Sequence, residues 1–137
     1  MGANVSTVYE NNNNNAAPIK TNILPTKKGR VIAFHSSSNW KIHFEASKQT
    51  SKLMVIDFTA SWCGPCQIIQ PAFNEFAEKY TEVEFIKIDV DELMDAAQEF
   101  GVQAMPTFVL VKKGKEVDKV VGAKKEELMK KIEKHRC

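Results

Sequence analysis

Cys63 and Cys66 stand two residues apart in Trp62-Cys63-Gly64-Pro65-Cys66-Gln67. A pair at this spacing serves one of three chemistries: half of a tetrahedral zinc site, a structural cross-link, or a dithiol that opens and closes. Structural zinc takes four Cys or His ligands. The third cysteine, Cys137, is the last residue, and His35, His43 and His135 show no ligand spacing from Cys63. No metal site is expected. The opening residues, MGANVSTVYENNNNN, have neither the basic nor the apolar stretch of a secretory signal. That points to a reducing cytosolic or nuclear compartment, where a standing structural disulfide is out of place. A reversible redox pair is the reading these constraints favour.

The pair follows an apolar run, KLMVIDFTAS, and opens a helical one, CGPCQIIQPAFNEFAEKY. A thiol at a helix N-terminus faces unpaired N–H groups and the positive end of the helix dipole, which favour thiolate over thiol and lower the pKa from about 8.5. Cys63 is therefore the candidate nucleophile. Cys66, one turn on, can close a short disulfide with it. The competing reading is two small buried hydrophobes, and the strand-to-helix junction argues against it. Gly64 and Pro65 shape the loop, with proline suited to the first helical positions because it has no N–H to leave unpaired. Trp62 is either core or a docking surface beside the sulfurs. Asp57 lies within the apolar run, where burial should raise its pKa and where a carboxylate without a task or partner is costly. It could accept the proton of Cys66; a structural carboxylate satisfied by a lysine or backbone amide is the alternative. Pro106, in Met105-Pro106-Thr107, is either a strand start or preceded by a cis bond, and local sequence leaves both open.

These side chains need a scaffold, and the 137 residues suffice for one domain. Residues 1–28, with Asn11 to Asn15, Pro18 and Pro25, have no helical or alternating pattern and read as a flexible extension. The patterned domain covers 29–137. RVIAFHS reads as a strand, and SNWKIHFEASKQT as a helix capped by Ser38 or Asn39. KLMVIDFTAS is apolar on both faces, as in the middle of a sheet. In the helix after the cysteines, Ile68, Ile69, Ala72, Phe73, Phe76 and Ala77 form the buried side, and Pro71 lies inside. VEFIKIDV is a strand, DELMDAAQEF a short helix ending at Gly101, and TFVLVKKGKEVDKVVGA two strands around Lys113-Gly114-Lys115. KKEELMKKIEKHR closes as an amphipathic helix with Glu126/Lys130 and Glu127/Lys131 pairs. Alternating units predict a three-layer α/β domain: a parallel sheet core with an antiparallel hairpin added.

Trp62-Cys63-Gly64-Pro65-Cys66, Asp57 upstream, Pro71, Met105-Pro106-Thr107-Phe108 and Val121-Gly122-Ala123 together resemble thioredoxin, in particular the plant h-type, over about residues 30–137. The resemblance implies the thioredoxin fold, a central mixed sheet flanked by four helices. It implies that Cys63 attacks a target disulfide, Cys66 resolves the mixed disulfide, and Asp57 assists Cys66. The proline matching Pro106 is cis in the family and sits against the dithiol. Met105, Trp62, Gly122 and Ala123 would line the surface that takes an extended target segment. No bound cofactor is implied; electrons would come from NADPH through a thioredoxin reductase, or from glutathione, to a monomer that acts on disulfide-containing proteins. Two departures stand out. Gln67 occupies a position where many members carry Lys or Arg, and Phe34 lies where many h-type relatives have a further cysteine.

The remaining features bear on location and partners. A net charge of +2 with basic and acidic residues interleaved excludes a nucleic-acid stripe. Met1-Gly2-Ala3-Asn4-Val5-Ser6 fits the N-myristoylation pattern at Gly2, and one such chain gives reversible binding only, so a cytoplasmic protein partly at a membrane surface is expected. Cys137 is followed by no residues for prenylation and reads as an exposed free thiol. An isomerase or oxidase of the same fold would be expected to carry His between the cysteines and a secretory signal; both are missing here.

Overall fold

Met54–Thr59 is buried at every position, as a strand must be when both its faces are covered. In the computed structural model, which describes residues 29–137, this strand is the centre of the sheet. The expected extension 1–28, and Gly2 with it, lies outside the described residues. Elements follow in the order β1 (Val31–Phe34), α1 (Ser37–Ser47), β2 (Met54–Thr59), α2 (Gly64–Lys79), β3 (Glu84–Asp89), α3 (Met94–Glu99), β4 (Thr107–Lys112), β5 (Lys115–Val121) and α4 (Lys125–His135). The sheet order is β1-β3-β2-β4-β5. The β1/β3 and β2/β3 pairs are parallel, and the β2/β4 and β4/β5 pairs antiparallel.

Alternation along β2 assigns its two faces. Met54, Ile56 and Phe58 pack with Trp40 of α1 and with Ala96 and Ala97 of α3. Val55 packs with Ile69, Phe73 and Phe76 of α2 and with Leu128 and Ile132 of α4. Asp57 and Thr59 have the parity of Val55, so they belong to the α2 face. Register brings the functional ends together: Thr59 pairs with Asp89, Phe58 with Thr107, and Thr107 with Val121. The loops after β2, β3 and β5 and the loop before β4 therefore meet at one end of the sheet.

Local signals explain the boundaries. Ser36 caps α1, its Oγ accepting from the Asn39 N–H, two residues earlier than Ser38 and three earlier than Asn39. Three serines and an asparagine in a row are equally good caps by type, and only the phase of the first turn selects among them. Lys113 and Gly114 both have positive φ, the geometry of a two-residue turn whose twist matches the flanking strands. In α2 the apolar stripe runs Ile69, Phe73, Phe76, Ala77. Ile68, expected on the buried side, is 79% exposed; a residue turns about 100° from the next, and Ile68 falls outside a stripe centred on Phe73. Ala72 is half-buried at its edge. In α4, of the two expected pairs, Glu127–Lys131 forms at 3.5 Å and Glu126–Lys130 does not appear among the ion pairs of the described residues.

Candidate active site

α2 begins at the dithiol. Cys63 is its N-cap, with extended backbone, and Cys63 Sγ accepts the Cys66 N–H at 3.2 Å. Gly64 and Pro65 fill the first two helical positions, where the proline costs no hydrogen bond. The two cysteines are joined as a disulfide with Cα atoms 5.3 Å apart. Both are buried and pack with Ala60, Val90 and Met105. An N–H aimed at Cys63 Sγ from a helix N-terminus stabilises negative charge on that sulfur once the bond is reduced.

Met105 and Pro106 flank the disulfide. Their peptide bond is cis, as the resemblance implied. Cys63 Sγ lies 3.6 Å from the Met105 carbonyl oxygen. The Pro106 carbonyl accepts the Gly122 N–H at 2.8 Å, and Thr107 Oγ1 donates to the Ala104 carbonyl at 2.6 Å, so this loop is fixed on both sides. Gly122 has φ of 102°, a conformation that favours glycine. Ala123 is exposed beside it. Trp62 is 66% exposed, which resolves core against surface, and its indole N–H donates to Asp91 Oδ2 at 3.0 Å.

Asp57 is 1% exposed, and neither carboxylate oxygen has a hydrogen-bond partner among the described residues. Burial pushes its pKa up to about 7, and the cross-strand Lys87 pulls against that shift. Thr59, two residues on with the same parity, lines a cleft with Ser61, Cys66, Gln67, Gln70, Lys87 and Asp89. Of the two sulfurs, Cys66 is the one among the cleft residues, and Cys63 Sγ the one 3.6 Å from the Met105 carbonyl. The burial expected of Asp57 is present, whereas its cross-strand neighbour Lys87 and the Trp62 partner Asp91 were not anticipated. Lys87 is linked to the site by strand register and Asp91 by a loop contact, and neither leaves a local signal.

Phe34 lies on β1 at the edge of the sheet, packed against Trp40 and His43. Cys137 is free and exposed, as expected.

The family profile described as Thioredoxin matches residues 31–134. Thioredoxin H2 of Arabidopsis thaliana is 51% identical over 137 residues, covering all of both chains, and thioredoxin H7 of the same plant is 46% identical over 136 residues and 99% of each. The crystal structure of thioredoxin NaTrxh from Nicotiana alata superimposes with a TM-score of 0.78 at 64% identity, over 82% of this chain and 97% of that one. The poplar thioredoxin h PtTrxh4 gives 0.72 at 38% identity, over 77% and 95%. The chain belongs to the thioredoxin family, in its plant h-type group, and is a thiol-disulfide oxidoreductase working through the Cys63/Cys66 dithiol.

Proposed function

We propose that Cys63 is the attacking thiol, Cys66 the resolving thiol and Asp57 the base that serves Cys66. The observation that carries this assignment is the Cys66 N–H donated to Cys63 Sγ at the N-cap of α2. It supports Cys63 as the sulfur held as thiolate once the bond is reduced. In the forward direction the Cys63 thiolate attacks one sulfur of a target disulfide; that S–S bond breaks, and the other target sulfur leaves as a thiolate. Cys66 then gives its proton to the Asp57 carboxylate and attacks Cys63 Sγ, releasing the second target thiolate. Two electrons pass from the dithiol to the target, which ends as two thiols. Trp62, Met105, Pro106, Gly122 and Ala123 form the docking surface, with backbone groups at Met105 for an extended segment, and Gly64 and Pro65 shape the loop that presents Cys63. NADPH through a thioredoxin reductase, or glutathione, restores the dithiol. An NADPH-coupled insulin reduction assay tests the assignment: Cys63→Ser abolishes turnover, and turnover retained by that variant refutes it. Running the same assay with glutathione in place of the reductase identifies the reductant.

The division into an extension, 1–28, and a thioredoxin domain, 29–137, belongs to the same reading, as do a monomeric state and a cytoplasmic location with a myristoylated Gly2 at a membrane surface. The Met1–Ser6 pattern supports the lipid, and no described helix is long and apolar enough to cross a membrane. Gly2→Ala should leave the membrane fraction; an unchanged distribution removes the anchor.

A further inference from the structure

Gln67 is exposed, yet both kinds of its N–H reach back onto the loop before it. The backbone N–H donates to the Cys63 carbonyl at 3.3 Å, and side-chain Nε2 donates to the Ser61 carbonyl at 3.1 Å. Those two carbonyls bracket Trp62 and Cys63. One residue therefore holds both sides of the segment that turns from buried Ala60 out to exposed Trp62 and back to buried Cys63. Two further ties complete the segment: the Cys63 N–H to the Ala60 carbonyl at 3.2 Å, and the Trp62 indole to Asp91. Without the Gln67 amide, the Ser61 carbonyl would turn to water, and rotation of the Ser61–Trp62 peptide would change where the chain enters Cys63.

We propose that Gln67 is a positioning residue for the dithiol. Its carboxamide holds Ser61-Trp62-Cys63 in the arrangement in which Cys63 Sγ receives the Cys66 N–H and lies against the Met105 carbonyl. The inference rests on the dithiol reading above and adds a residue to it. Ionisable groups near this end of the sheet include Asp57 on β2, Lys87 and Asp89 on β3, Asp91 and Glu92 after it, His35 after β1, and Lys124 after β5. Gln67 forms no hydrogen bond or ion pair with any of them among the described residues, so its effect is on position and not on charge.

The test compares the reduced full-length protein with Gln67→Ala, Gln67→Glu and Gln67→Lys. Two quantities are measured: the pH profile of Cys63 alkylation by iodoacetamide, mapped by mass spectrometry, and kcat and KM for NADPH-coupled insulin reduction. Gln67→Ala should lower Cys63 alkylation at pH 7 by about 3–10-fold, the worth of one neutral hydrogen bond, and move the profile to higher pH. Gln67→Glu, which sets an acceptor against the Ser61 carbonyl, should fall further. Gln67→Lys keeps a donor within reach and should match the wild type. A Gln67→Ala profile that overlays the wild type overturns the proposal, because a purely electrostatic role predicts that result. Wild type that alkylates normally at Cys63 but reduces no insulin counts instead against the oxidoreductase reading.

Discussion

Asp57 is the residue on which the most physics converges. Its folded pKa of about 7 lies some three units above its ordinary value of 3.8. A raised pKa means that the folded chain holds a proton the unfolded chain has released. Stability therefore falls as pH rises from about 3.8 to about 7, and the full cost, ~4 kcal/mol, is present above that window. Asp57→Asn removes the titration while keeping the shape. Urea unfolding of the oxidised protein should show the variant gaining on the wild type by ~2–3 kcal/mol more at pH 8 than at pH 5. A gap independent of pH would mean that Asp57 does not titrate in this range. The same variant should slow the resolving step by ~10²-fold, the low end of what a general base supplies, while initial attack by Cys63 stays near normal. Stopped-flow measurement of the two steps separates them. The position of Asp57 within an apolar run was legible in the sequence, because a carboxylate in MVIDFT has little reason to be there on packing grounds. Lys87 opposite it was not, because cross-strand register is a property of the assembled sheet.

Among the elements, α2 shows where periodicity reads well and where it blurs. Phe73 is fully buried, with its ring edge-on to Phe85 and tilted against Phe108. Phe73→Ala should cost ~3–5 kcal/mol in denaturant unfolding, against less than ~0.5 kcal/mol for Ile68→Ala on the exposed side. Both are isoleucine or phenylalanine in an apolar helix, so residue type alone could not separate them; the stripe's phase does. α4 is tied to β5 by Asp118, which accepts from Lys131 Nζ and His135 Nε2, each at 2.9 Å. Burial raises the Asp118 pKa, but these hydrogen bonds outweigh it and hold the carboxyl down at about 2. A depressed pKa contributes stability above about 3.8 that is lost as pH falls toward 2. Asp118→Asn should flatten that part of the acid-unfolding curve followed by circular dichroism; a curve as steep as wild type contradicts the network. The i,i+4 charge pattern announced the helix, whereas the partner on β5 came from the hairpin's fold-back.

At the scale of the molecule, the order of strands and helices predicted an α/β domain with a parallel core and an antiparallel hairpin, and both are present. What order could not supply is which ends meet. Only the register, Thr59 with Asp89 and Thr107 with Val121, sets the dithiol, the Met105–Pro106 loop and Gly122 at one end. That convergence gives the two sulfurs different surroundings: Cys63 Sγ lies 3.6 Å from the Met105 carbonyl, while Cys66 lines the cleft with Thr59 and Lys87. The most direct test traps the reaction at its midpoint, using Cys66→Ser with an excess of oxidised insulin and peptide mapping of the mixed disulfide. The account predicts target attached at Cys63 and Cys137 left free. Adduct confined to Cys137, or no adduct from a variant whose wild type reduces insulin, would contradict it.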